Sequence, residues 1–208
     1  MTGPLPPSLL PETAAVDSDG ALVVGGVRVD ALAAAYGTPL FVYDEAHLRS
    51  RLREATEVFD GRVAYATKAF LCRAMARLAH EEGLILDVAT GGEYAVVRDA
   101  GIPAASLVFH GNNKSIGELD DALRDGVGRV VVDSFDELDR IEALVGRGAA
   151  APRVLIRINP GIEVHTLEEV ATGVPDSKFG FPLRAGDAAR ALERAGASAA
   201  MELVGMHV

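Results

Sequence analysis

Short apolar runs alternate with helix-patterned stretches along most of this 208-residue chain. The runs begin near Arg62, Leu84, Leu107, Arg129 and Arg153, at intervals of 22 to 24 residues. Between them, as in Leu119-Ala122-Leu123 or Leu138-Ile141-Leu144-Val145, apolar residues recur three and four apart, the spacing of one buried helix face. Turn signals separate the two kinds of stretch: Gly83, Gly101-Ile102-Pro103, Gly126-Val127-Gly128, and Gly146 with Gly148. A strand and a helix repeated at this interval form the βα unit of a parallel sheet. Even spacing favours a (β/α)8 barrel over a doubly wound sheet. No strand runs into Gly-x-Gly-x-x-Gly, the fingerprint of the alternative.

A sixth run, Leu203 to Val208, follows a helix expected over Asp187 to Arg194 and a long loop from Asn159 to Pro182, placed above the barrel mouth. The fold expected is therefore α/β, an incomplete (β/α)8 TIM barrel of six strands, where closure takes about eight. The last apolar run has no turn after it, so the chain reads as the amino-terminal part of a longer protein. Upstream, Ala21 to Val29 reads as a hairpin across Gly25-Gly26, followed by a helix from Ala31 to Tyr36 and a strand from Leu40 to Tyr43. This section lies outside the barrel period and suggests part of a second, β-rich domain. The expected division is an extension with hairpin at 1–39 and the barrel at 40–208.

Composition narrows the picture. Hydrophobic residues make up 49% and charged residues 24%, enough for a real core. A net charge of −10 disfavours nucleic acid and anionic membrane as partners. The single cysteine, Cys72, forbids an intrachain disulfide and reads as core filler in a helix. No basic segment followed by a long apolar run opens the chain, so a soluble, cytoplasmic protein is expected. The five histidines are too widely spaced for a zinc pattern, and no metal site is expected.

Thr67-Lys68-Ala69, after the run Val63 to Ala66, puts a lysine at the carboxyl end of what reads as a buried strand. Desolvation there would favour the neutral amine, a nucleophile toward a carbonyl. Asp87, His110 and Arg157 occupy the corresponding ends of three other strands, and all such ends face one side of a barrel. Taken singly, Asp87 reads equally as a helix-capping acid, and Arg157 as a solvated strand end. Glu93 falls in the first turn of the next helix, where an acid also complements the helix dipole.

The series Tyr65-Ala66-Thr67-Lys68-Ala69, Leu86 to Glu93, His110-Gly111-Asn112-Asn113-Lys114-Ser115, Arg157 to Thr166 and Asp176 to Gly180 resembles the bacterial diaminopimelate decarboxylases, from about Ala21 to the last residue. These are pyridoxal-phosphate enzymes of the alanine-racemase-like barrel fold. The resemblance implies decarboxylation of meso-2,6-diaminopimelate to L-lysine and CO2, the last step of lysine biosynthesis, in a homodimer acting on a small amino acid. It also implies a pyridoxal-phosphate Schiff base on Lys68, with Asp87 and Arg157 as cofactor-binding residues and Glu93 as the acid of the family's Gly-Gly-Glu turn; Glu93, His110 and His165 are the candidates for an orienting role. Decarboxylases of arginine, ornithine or carboxynorspermidine, and a non-catalytic pyridoxal-phosphate-binding barrel, are the alternatives. Leu167 departs from the family's His-Thr-His-Glu, and His207 matches the neighbour of the histidine that stacks on the cofactor.

Overall fold

The computed structural model describes residues 6–60, 63–161 and 179–208, which fall into two compact units. The first comprises the described residues of Met1–Val63 together with Glu82–Leu84. In it β1 (Ala15–Val16), β2 (Leu22–Val24) and β3 (Val27–Arg28) form an antiparallel sheet in that order. Val24 pairs with Val27 across Gly25-Gly26, and both glycines have positive φ, as the tight turn of the expected hairpin demands. Two helices follow, α1 (Val29–Tyr36) and α2 (Glu45–Val58). Asp44 caps α2 by accepting the His47 amide at 3.1 Å. Arg49 and Arg53 of α2 converge on Glu82 at 2.7 and 2.8 Å, and these guanidinium contacts hold its carboxyl below the usual range. The strand expected at Leu40–Tyr43 does not form. A strand requires a ladder partner, and among the described residues β1 to β3 pair only among themselves. Phe41 is left 89% exposed.

The second unit, Ala64–Glu81 with the described residues of Ile85–Val208, contains the expected barrel repeat. Its strands and helices alternate: β4 (Ala64–Ala66), α3 (Arg73–Glu81), β5 (Ile85–Val88), α4 (Gly91–Asp99), β6 (Leu107–Phe109), α5 (Ile116–Arg124), β7 (Arg129–Val132), α6 (Phe135–Gly146) and β8 (Arg153–Asn159). Then come a two-residue β9 (Phe181–Pro182), α7 (Asp187–Ala197) and β10 (Glu202–His207). Neighbours on the main path run β10-β8-β7-β6-β5-β4, all parallel, and β9 pairs with the end of β8. This is an α/β fold with six strands of an incomplete (β/α)8 barrel, preceded by the antiparallel hairpin sheet.

Alternation along the strands decides what reaches the site. Leu86, Val88, Leu107, Phe109, Val130, Val132, Val154 and Ile156 are fully buried or within 1% of it. Val97, Leu119 and Ile141 of the helices are likewise fully buried. Truncating any of the larger ones to alanine would cost about 2–5 kcal/mol. The opposite parity carries Asp87 on β5 and Arg157 on β8, so both face the other side of the sheet. Three successive strand-to-helix turns also share one device, Ser or Thr followed three residues later by Glu. Thr90 with Glu93 and Ser115 with Glu118 are complete capping boxes, and Ser134 accepts the Glu137 amide at 3.2 Å. Cys72 is not core filler. It is exposed and sits just before α3, where its Sγ accepts the Met75 amide at 3.5 Å.

Candidate functional site

Register brings the first pair of site residues together. Ala66 of β4 lies beside Asp87 of β5, so the turn Thr67–Ala69 leaves the sheet against that carboxylate's strand. The buried Thr67 fastens the turn by donating its hydroxyl to the Asp87 carbonyl at 2.9 Å. Lys68 follows directly. Its setting corrects the expectation of a desolvated amine on a buried strand: β4 ends the main sheet path, is itself only partly covered, and leaves Lys68 exposed. Among the described residues, no hydrogen bond or ion pair engages its ammonium.

Lys68, Asp87, His110 and Arg157 all line one cavity of about 300 Å³ at the carboxyl ends of β4, β5, β6 and β8. Thr90, Gly111, Asn112 and Phe179 complete most of its wall. His110 Nδ1 stands 3.5 Å from Asp87 Oδ2. Asp87 Oδ1 and His110 Nε2 are buried and without a hydrogen-bond partner among the described residues, which is unusual for polar atoms unless a bound group completes them. The His207 ring meets His110 edge to face at 4.5 Å. Burial, then the nearby His110 and Arg157, lower the His207 pKa from the ordinary imidazole value.

Two residues missed in the sequence fix Arg157. Asp133, 1% exposed at its side chain, ion-pairs with the guanidinium at 2.8 Å, and the Phe179 ring lies 4.6 Å from it. The other Asp133 oxygen accepts the Gly180 amide at 2.9 Å. Gly180 has φ of 70°, and a Cβ there would stand 2.8 Å from the Arg157 carbonyl, so the segment passes too close for a side chain. Asp133 directly precedes the cap Ser134, and in sequence it is indistinguishable from an ordinary helix-start acid. Glu93 is not part of the cavity wall. Its carboxylate accepts the Ala89 and Thr90 amides at 2.7 and 3.0 Å and so shapes the loop that carries Thr90. His165 lies outside the described residues, as does Leu167.

The residues present fit an aldehyde-bearing, anionic aromatic cofactor: an accessible primary amine, a carboxylate and imidazole with unfilled hydrogen-bonding atoms, and a fixed guanidinium. Among the described residues no group of three or more His, Cys, Asp or Glu could hold a metal ion, and no helix is long and apolar enough to cross a membrane.

A barrel with a lysine and polar strand ends at one mouth defines a class, and comparison with known proteins gives the family. Residues 45–208 match the family model described as pyridoxal-dependent decarboxylase, pyridoxal binding domain, and the chain belongs to that family. It is 44% identical over 205 residues to the diaminopimelate decarboxylase of Mycobacterium bovis, covering 98% of this chain and 46% of that protein. Identity to the diaminopimelate decarboxylase of Bacillus methanolicus is 46% over 200 residues, with 94% and 46% covered. The chain thus spans just under half the length of these relatives. Among solved structures, diaminopimelate decarboxylase from M. jannaschii in complex with L-lysine superposes with a TM-score of 0.82 at 29% identity, over 95% of this chain and 47% of that one. Diaminopimelate decarboxylase from Helicobacter pylori complexed with L-lysine gives 0.76 at 30% identity, over 86% and 46%.

Proposed function

We propose that this chain supplies the lysine-bearing part of a pyridoxal-phosphate-dependent decarboxylase that converts meso-2,6-diaminopimelate to L-lysine and CO2. The observation that carries the reading is the convergence of Lys68, Asp87, His110 and Arg157 on one cavity in a chain 44% identical to a named diaminopimelate decarboxylase. Lys68 would hold pyridoxal phosphate covalently through Nζ, with Asp87 and Arg157 as its polar contacts. When bound, that group supplies an electron sink for the pair left behind as CO2 departs. Asp87, on the wall of the same cavity as Lys68, would set a negative charge near the bound group. Arg157, held in one orientation by Asp133 and Phe179, offers a fixed positive charge that needs no reorganisation. Lys68 Nζ would be one candidate to return a proton to the substrate carbon, a reading supported by its place on the cavity wall.

The match from residue 45 supports the division into an extension at 1–39 and a barrel at 40–208. The same reading assigns the full-length protein to the cytoplasm as a homodimer, which a solution mass measurement tests. Function is tested by CO2 release from meso-diaminopimelate, arginine, ornithine and carboxynorspermidine in the full-length protein with added pyridoxal phosphate. Release from diaminopimelate alone is expected. Preference for another substrate would reassign the enzyme, and cofactor binding without release from any of them would make the protein a carrier.

A further inference from the structure

Behind the cavity wall lies a charge pair that meets neither cavity nor solvent. The side chains of Lys114 and Glu137 are 1% and 5% exposed, and Nζ stands 2.8 Å from Oε1. The ammonium donates to the Gly111 carbonyl at 2.6 Å and the Val131 carbonyl at 2.9 Å, and its charge is paired with the Glu137 carboxylate. The other Glu137 oxygen accepts the Asp133 amide at 3.0 Å, and the Asp133 carboxylate in turn holds Arg157. One buried pair therefore joins two parts of the cavity wall, Gly111 beyond β6 and Arg157 on β8, by way of β7.

Stability alone gives little reason for charges here. Desolvation largely offsets the attraction within a buried pair, and apolar side chains of similar volume often serve as well. Burial pushes the Lys114 ammonium below the ordinary lysine value and the Glu137 carboxyl above the ordinary acid value, with mutual attraction opposing both. An apolar pair could not supply a donor for the Gly111 carbonyl or an acceptor for the Asp133 amide. The first of these is demanding. Gly111 has φ of 99°, and a Cβ there would stand 2.4 Å from the Ala89 carbonyl, so the loop crosses the end of β5 with no spare room.

We propose that Lys114 and Glu137 are positioning residues for the cavity, setting the Gly111–Asn112 wall directly and the Arg157 guanidinium through Asp133. The inference rests on the reading of this cavity as a pyridoxal-phosphate site, and its test separates the two. In the full-length protein, Lys114→Met strands the Glu137 charge and lowers Tm. Adding Glu137→Gln removes that charge, keeps an acceptor for Asp133, and recovers most of the lost Tm. Equilibrium titration with pyridoxal phosphate should still show the double variant binding about tenfold more weakly than wild type, the scale on which groups supporting a binding site act. Affinity that returns to wild type with Tm would overturn the proposal, because the pair would then serve folding only. Amide hydrogen exchange at residues 110–113 of the ligand-free protein provides a second arm. Faster exchange in the double variant supports positioning, and unchanged exchange overturns it. A wild-type protein that takes up no pyridoxal phosphate defeats the proposed function, while the exchange arm still decides what the pair does.

Discussion

Lys68 and Lys114 show how environment divides one side-chain type into two jobs. Lys114 donates to two backbone carbonyls, pairs its charge with Glu137 and is sealed from solvent. Lys68 stands exposed in the cavity wall, its turn anchored by the Thr67 hydroxyl. Its suitability as a nucleophile thus comes from access, and not from the burial that its place after an apolar run suggests. Borohydride reduction of the full-length protein with pyridoxal phosphate, followed by peptide mapping, should place the pyridoxyl group on Lys68. Lys68→Ala should abolish the label and change stability by no more than about 0.5 kcal/mol, as for other exposed positions. Labelling of Lys114 in the folded protein would contradict both the assignment and the burial argument.

At the scale of the element, the strand-to-helix turns are tied sideways as well as capped. Glu118 accepts the Ser115 amide at 2.8 Å within its own capping box and the Gly91 amide at 2.6 Å at the start of α4. These bonds, the Ser115 amide first, lower the Glu118 pKa below its ordinary 4.5. On falling pH the unfolded chain therefore binds this proton before the native state does. The associated stability is fully present above about pH 4.5 and is lost as pH falls toward the depressed native value. Glu118→Gln should cost about 1 kcal/mol at neutral pH, as loss of a cap does. It should also flatten this part of the acid limb, so that urea unfolding shows a smaller gap between variant and wild type at pH 4 than at pH 7. An equal gap at both would remove the charge from the explanation. Much at this level was legible in advance. The interval between apolar runs locates five barrel strands and the last apolar run the sixth, and the strand-end rule locates Lys68, Asp87, His110 and Arg157. What stayed hidden was partnership. Asp133 meets Arg157 across 24 positions, and Lys114 meets the Val131 carbonyl across 17. Leu40–Tyr43 has strand-like residues, but strand formation depends on a neighbour that no local pattern names.

At the scale of the second unit, the main sheet path has two ends, and among the described residues β4 pairs only with β5, and β10 only with β8. A parallel strand with a free side presents a row of unpaired amides and carbonyls to any other chain. The side chains nearby do little to block this, since Met206 is 59% exposed and Val208 80%. In the first unit, Phe41, Val58 and Phe59 are 89%, 69% and 61% exposed. Large apolar side chains in such numbers favour association. Expressed by itself, the 208-residue sequence should therefore self-associate, because long-range parallel pairing offers these edges no local alternative. Its cavity should take up pyridoxal phosphate loosely, and it should release no CO2 from meso-diaminopimelate. Light scattering and the CO2 assay, run on residues 1–208 and on the full-length protein side by side, measure both. A monodisperse 208-residue chain with activity near that of the full-length protein would mean that the open edges are harmless and that the described cavity suffices for the chemistry.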